Sequence, residues 1–269
     1  MEKQEQLTSA LNLLRRLPPQ DLSETLAGLL KLAPTIKEDI LRRTFVPFKL
    51  LFDENVLFLA LKGKYFIGCE YNQEDVSFRS PWSNAYIPSS KRGYYPKEFL
   101  RELEVEYNAL FDEFREAYYD GGVSSVYLWE VLNKNGFAGA FCMRKDFDYE
   151  QNKQVGEWNS IHVIKVIRES QNVNYSLDSE LHLRFSYEGN DVGSIDFGCQ
   201  ASRTNEKHSV LTAGESGDIK GHITIIGSMI DEAEGFLRKR VEQLLLPRIR
   251  EVARKMCPSS LNLSGRTIE

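Results

Sequence analysis

Most of the features that would mark a secreted, membrane-embedded or metal-dependent protein are missing from this sequence. Its opening, Met1-Glu2-Lys3-Gln4-Glu5-Gln6, has neither the basic nor the apolar region of a signal peptide, so no secretory route is expected. Two glycosylation sequons, Asn174-Tyr175-Ser176 and Asn262-Leu263-Ser264, therefore carry no weight. The longest unbroken apolar run, Val56 to Leu61, falls far short of the roughly 20 residues that span a bilayer, which excludes membrane insertion by a helix. Cysteine is scarce: Cys69, Cys142, Cys199 and Cys257 stand far apart with no Cys-x-x-Cys pair, so neither a zinc site nor a disulfide framework is expected, and the thiols read as reduced in a cytoplasmic protein.

Catalytic signatures are absent as well. There is no Gly-x-Gly-x-x-Gly, no phosphate-binding loop, no His-Glu-x-x-His and no Gly-x-Ser-x-Gly. The four histidines, His162, His182, His208 and His222, are scattered. Cys142 and His162 fall on neighbouring strand patterns and have the chemistry of a nucleophile and its base, but no orienting acid or oxyanion motif accompanies them. They read as two half-buried strand residues. No enzyme, cofactor or metal is expected, and a net charge of −5 gives no reason to expect nucleic acid.

What is present is a change of architecture. At 269 residues, 42% apolar and 27% charged, the chain is of ordinary globular composition. Leu7, Leu11, Leu14 and Leu17 share a helix face that ends at Pro18-Pro19. Asp21 with Glu24, and Thr35 with Glu38, resemble capping boxes opening two further short helices, so residues 1–46 read as a three-helix stalk. Residues 47–95 are irregular and aromatic, with strand-like runs at Val56 to Leu61 and Tyr65 to Cys69. In the same region Arg79-Ser80-Pro81-Trp82-Ser83-Asn84 reads as a loop anchored by Trp82.

From Pro96 a helix of about 24 residues is expected, with Phe99, Leu100, Leu103, Tyr107, Leu110, Phe111, Phe114 and Tyr118 on one broad stripe. Its carboxylates, Glu98, Glu102, Glu104, Glu106, Asp112, Glu113 and Glu116, read mostly as a solvated face. The pair Gly121-Gly122 stops it, because glycine takes left-handed angles without a Cβ clash. Five strands follow at about 123–132, 137–145, 157–168, 175–187 and 194–204, with turn signals at Asn133-Lys134-Asn135-Gly136 and Gly189-Asn190-Asp191. Short connections make this an antiparallel meander.

A last helix at about 221–256 carries Ile226, Ile230, Ala233, Leu237, Val241 and Leu244 on one stripe, is long enough to cross the sheet, and should kink or divide at Pro247. The tail, 258–269, has too few apolar residues to hold a structure and is expected to be mobile. The fold class is α+β. Residues 96–257 form its main body.

Several words of the sequence resemble the beta subunit of the F-actin capping protein family. They are Leu14-Arg15-Arg16-Leu17-Pro18-Pro19-Gln20, Arg79 to Asn84, Leu103-Glu104-Val105-Glu106, Gly121 to Trp129, Gly136-Phe137-Ala138-Gly139 and Trp158 to Val163, spread over about residues 6 to 257. The resemblance implies pairing with a homologous alpha subunit and capping of the barbed, fast-growing end of actin filaments. An alternative within the same family is a structural end cap of an actin-related filament such as that of dynactin.

The family fold of stalk, globule, five-stranded sheet and overlying helix matches the order read from patterning. Edge strands without proline or paired lysines support an obligate partner, with an interface of roughly 2,000 Å² or more. Val123, Val126, Leu128 and Trp129 on the first strand and Ile195 and Phe197 on the last are its expected residues.

The resemblance also locates contacts. Residues 238 to 255 hold seven basic residues against Glu242 and Glu251. Arg238 resembles a basic actin-contact position of the family, Arg248 and Arg250 match basic residues further on, and Lys239, Arg240 and Arg254 extend the set; Phe236 stands where the family has a second basic contact. The family's amphipathic C-terminal arm has no counterpart in Ser259 to Glu269, since Leu261, Leu263 and Ile268 make no helical stripe. Near the end of the third stalk helix, where the family has an acid that binds basic regulator peptides, this sequence reads Arg42-Arg43-Thr44-Phe45. Like charges there weaken such binding, leaving Glu38 and Asp39 one turn earlier as the regulator-binding residues. Cytoplasm and cytoskeleton are the implied location.

Overall fold

The computed structural model describes residues 28, 31, 32, 48–58, 61–131, 135–149, 154–169, 172–189, 193–210 and 219–256. Gly28, Lys31 and Leu32 are helical; the rest of the expected stalk, including Glu38 and Asp39, and the tail 258–269 lie outside the described residues. The globule opens with a hairpin of β1 (Lys49–Phe58) and β2 (Leu61–Gly68), followed by a small sheet of β3 (Gln73–Glu74), β4 (Ser77–Arg79) and β5 (Tyr86–Ile87). The run Val56 to Leu61, read as one strand, is divided: Val56 to Phe58 close β1 and Leu61 opens β2.

Helix α1 (Glu98–Tyr119) ends at Asp120, which is left-handed at φ 50°, and Gly121 and Gly122 continue at φ 108° and 94°. At Gly122 the requirement is steric as well, since a Cβ would stand 2.6 Å from the Arg144 carbonyl oxygen. The turned chain enters β6 (Val123–Glu130), and β7 (Gly136–Tyr149), β8 (Gln154–Glu169), β9 (Asn172–Gly189) and β10 (Gly193–Val210) complete an antiparallel meander in the order β10-β9-β8-β7-β6. These strands run further than hydropathy indicated because their ends, such as Asp146-Phe147-Asp148 and Asn205 to His208, alternate with polar residues outside the core.

Helix α2 (Ile219–Met256) crosses the sheet and continues through Pro247, whose missing N–H does not end it. Leu100, Leu103, Tyr107 and Phe111 of α1 and Ile226, Met229, Ile230 and Ala233 of α2 bury one sheet face. On the other face the β1–β2 hairpin covers the β6–β7 side, where Ile67 packs on Ala140 and Cys142.

Two expectations about α1 change. Phe99, Leu110 and Tyr118 of the broad stripe are exposed, whereas Glu104 and Asn108 are buried. Their task is to close the edge of β6: Asn108 Nδ2 donates to Val126 O, and the N–H groups of Val126 and Leu128 donate to Asn108 Oδ1 and Glu104 Oε2. Farther along, the Glu130 N–H donates to the Tyr94 hydroxyl. Glu104 also takes both guanidinium nitrogens of Arg79 at 2.7 Å, and Arg101 at 2.6 Å. The Arg79–Asn84 segment is thus anchored by Arg79, 2% exposed, rather than by the half-buried Trp82.

Candidate functional site

Val126 and Leu128, expected at a subunit interface, are instead buried in the chain's own core, with their outward backbone groups satisfied by α1. Val123 and Trp129 are half-buried against the globule, Trp129 stacked on Tyr71 with ring centres 5.0 Å apart. The edge on β6 is therefore closed. Among the described residues, the opposite edge strand, β10, pairs with β9 alone over its whole length. Phe197 on β10 is half-buried, and the side chain of Ile195 lies outside the described residues.

Above β10, Leu237 and Val241 of α2 are buried on Leu181, Cys199 and Ala201, with Leu244 and Leu245 at the margin. Beyond them Leu246 and Ile249 are 48% and 49% exposed. The stretch from Leu246 to Met256 is about 16 Å of helix.

The cation placed by the structure within a built site is Arg238. It sits where the last turn of α1 meets α2. Its guanidinium lies over the rings of Tyr119 and Tyr118, 4.4 and 5.4 Å from their centres, and Nη2 donates to Tyr118 O at 3.4 Å. The Tyr118 hydroxyl donates to Asp231 at 2.8 Å, and that of Tyr119 donates to Glu234. Glu234, 2% exposed, also accepts from Ser160 and bonds His162 Nε2 at 2.9 Å, while His162 Nδ1 meets Ser179 at 2.9 Å. Burial pulls the Glu234 carboxyl upward, but hydrogen bonds from His162, Tyr119 and Ser160 outweigh it and hold the group below the usual carboxylate range. Burial, with the Glu234 charge beside it, pushes the Tyr119 phenol well up.

His162 is thus wholly buried under α2, and not half-buried beside Cys142. The ladder pairs His162 with Phe141, so Cys142 faces the other side of the sheet. The sheet itself stands between His162 and that thiol, so the two do not form a nucleophile and base.

Next to Arg238 opens a cleft of about 370 Å³, walled by Tyr118, Tyr119, Phe147 and Trp158 and bordered by Lys145 and Glu242. Arg238 Nε and Trp158 Nε1, on two residues that line this cleft, are buried and have no hydrogen-bond partner among the described residues. Lys145 Nζ donates to the carbonyls of Tyr119 and Asp120. Aromatic walls beside the Arg238 guanidinium suit an acceptor such as a carboxylate.

Of the other basic residues of α2, Lys239, Arg240 and Arg250 do not join this site. Lys239 and Arg250 are exposed, and so is Arg240, which reaches Gln243 at 3.3 Å; the side chains of Arg248 and Arg254 lie outside the described residues. At about 100° per residue Lys239 and Arg250 fall on one face of α2, and Arg238 falls roughly a quarter-turn or more away. Hydropathy missed Glu104, Asn108 and Glu234 because each is a polar residue on a helix face that its neighbours make apolar.

Comparison with known sequences assigns residues 7–253 to "F-actin capping protein, beta subunit". The F-actin-capping protein subunit beta of Arabidopsis thaliana is 37% identical over 258 residues, covering 94% of this chain and 95% of that one. Its Drosophila melanogaster counterpart is 36% identical over 249 residues, covering 92% and 85%. Among solved structures, the homodimeric actin capping protein alpha subunit from Plasmodium berghei superposes with a TM-score of 0.54 at 15% identity over 98% of this chain and 99% of that one, a likeness of fold. The chain belongs to the F-actin capping protein beta-subunit family.

Proposed function

We propose that this chain pairs with an alpha-type capping subunit, and that the heterodimer binds the barbed ends of actin filaments and blocks subunit addition and loss, without catalysis. The observation that carries the pairing is the asymmetry of the sheet. Among the described residues β6 is closed by Asn108 and Glu104, whereas β10 has a neighbour on one side only and lies under a helix whose end leaves Leu246 and Ile249 uncovered. A second subunit of the same fold added on β10 satisfies that backbone and covers those side chains. Support for the filament-end reading comes from the names of the relatives and from Arg238, set over two tyrosine rings at the edge of a cleft that suits acidic groups.

Two measurements test this. Co-expression with an alpha-type subunit is expected to give a soluble heterodimer by light scattering, whereas the chain expressed alone aggregates; a stable, soluble monomer refutes the pairing. Pyrene-actin elongation from barbed ends is expected to stop at saturating heterodimer. Unchanged elongation by a well-formed heterodimer refutes barbed-end capping of actin and leaves the actin-related filament as target.

A further inference from the structure

One pair of reactive side chains takes no part in the closed edge or in the Arg238 seam. Cys69 follows the end of β2 and Cys142 stands within β7, 73 residues apart in sequence, yet their sulfurs lie 3.9 Å from each other. The turn after β2 aims Cys69. Its N–H donates to Asn72 Oδ1 at 2.8 Å, and the Asn72 amide group donates in turn to the carbonyls of Ile67 and Arg79. Tyr71 of the same turn stacks on Trp129 of β6 with ring planes 11° apart. Cys142 is held from the sheet, fully buried and between Ser125 and Ile161 in the ladder.

The two thiols differ in the way an attacking and a resolving cysteine differ. Cys69 is half-buried and Cys142 is buried. A hydrogen bond from Cys142, helped by the N–H groups of Tyr71 and Asn72 and opposed by burial and Glu70, holds the Cys69 thiol below its ordinary pKa; burial pushes that of Cys142 up. A half-buried thiol of lowered pKa, touching a second thiol beneath it, is the arrangement in which oxidation ends in a disulfide.

We propose that Cys69 and Cys142 are a peroxide-operated dithiol, whose disulfide staples the globule to the central sheet. The Cys69 thiolate attacks a peroxide oxygen; the O–O bond breaks, the sulfur loses two electrons to become a sulfenic acid, and the departing hydroxide leaves as water after taking a proton from solvent. The Cys142 sulfur then attacks the Cys69 sulfur. The S–S bond forms, the S–O bond breaks, and the hydroxide leaves as water with the proton that Cys142 gives up. Two thiols and one peroxide yield one disulfide and two waters. The sulfurs must close from 3.9 Å to about 2.05 Å, a movement shared by two side chains, one of them at a turn. This inference stands apart from the proposed capping function and needs no actin.

The full chain, in complex with an alpha-type subunit, is treated with hydrogen peroxide in small excess, blocked with N-ethylmaleimide and digested without reduction. The expected product is a Cys69–Cys142 cross-linked peptide pair that dithiothreitol cleaves. Cys69→Ser and Cys142→Ser should each abolish it. Cys142→Ala repeats the second test without placing a hydroxyl in the core, and Cys199→Ser, on the opposite sheet face, leaves the cross-link intact. The oxidised protein should also melt several degrees above the reduced one, because the link closes a long loop of chain. Recovery of Cys69 as sulfinic or sulfonic acid with Cys142 still alkylatable after denaturation overturns the proposal. A disulfide from either residue to Cys199 or Cys257 overturns it too.

Discussion

Replacing Glu104 with Gln gives a severe test of how the molecule is held together. The carboxylate is 0% exposed and receives four donors: Oε1 accepts from Arg79 Nη1 at 2.7 Å and Arg101 Nη1 at 2.6 Å, and Oε2 accepts from Arg79 Nη2 and from the Leu128 N–H, both at 2.7 Å. An amide of the same shape cannot serve, because either orientation turns an NH2 group toward two donors. Two hydrogen bonds are lost and the Arg79 charge, 2% exposed, stays buried without a counterion. Breaking a buried pair from one side costs about 3–5 kcal/mol. Asn84 Oδ1, 2.8 Å from Arg79 Nη1, keeps the loss toward the lower part of that range.

A destabilisation of about 3 kcal/mol lowers the melting temperature by roughly 8 °C in a protein of this size. Urea unfolding of the heterodimer with an alpha-type subunit, followed by tryptophan fluorescence at matched protein concentration, reads it directly. The exposed Glu102→Gln, two residues away, should stay within about 0.5 kcal/mol of the parent. An apolar double replacement, Arg79→Met with Glu104→Leu, should cost less than the sum of its parts, because no lone charge remains. A loss below about 1 kcal/mol for Glu104→Gln refutes the reasoning.

Acid should loosen α2. The folded-state pKa of Glu234 lies below its ordinary 4.5, so its contribution is present above pH 4.5 and is lost as pH falls through the folded value; Glu234→Gln should flatten the drop in stability below pH 4.5, and an unchanged acid limb counts against the assignment. Gly122→Ala, forced to φ 94° with its Cβ against the Arg144 carbonyl, should cost about 1–3 kcal/mol by thermal melting, and a neutral outcome means the joint is not tight. Replacing Arg238, Arg248 and Arg250 together with Glu should abolish barbed-end capping in the pyrene assay. Deleting 259–269 should change capping less than about threefold, roughly 0.6 kcal/mol, and a hundredfold loss would show the tail to be a working arm.

The sequence by itself determined what depends on neighbours along the chain. Three- and four-residue spacing of apolar side chains located α1 and α2, glycine at 121 and 122 located the joint, and short turns such as Asn135-Gly136 dictated an antiparallel meander. Family membership was legible in short words, and the structure supplies a reason for some of them. Arg79, Glu104 and Leu128 come from three of those words and meet in one buried cluster. Tertiary structure alone decided which polar residues are core. Glu104 finds Arg79 at a separation of 25 residues, and Glu234 finds His162 at 72, so nothing within a helical turn of either supplies the partner that lets its charge be buried. It also decided which sheet edge is open. The backbone groups of a strand are the same in every sequence, and only the docking of Asn108 and Glu104 on β6 removes that edge from the surface and leaves β10.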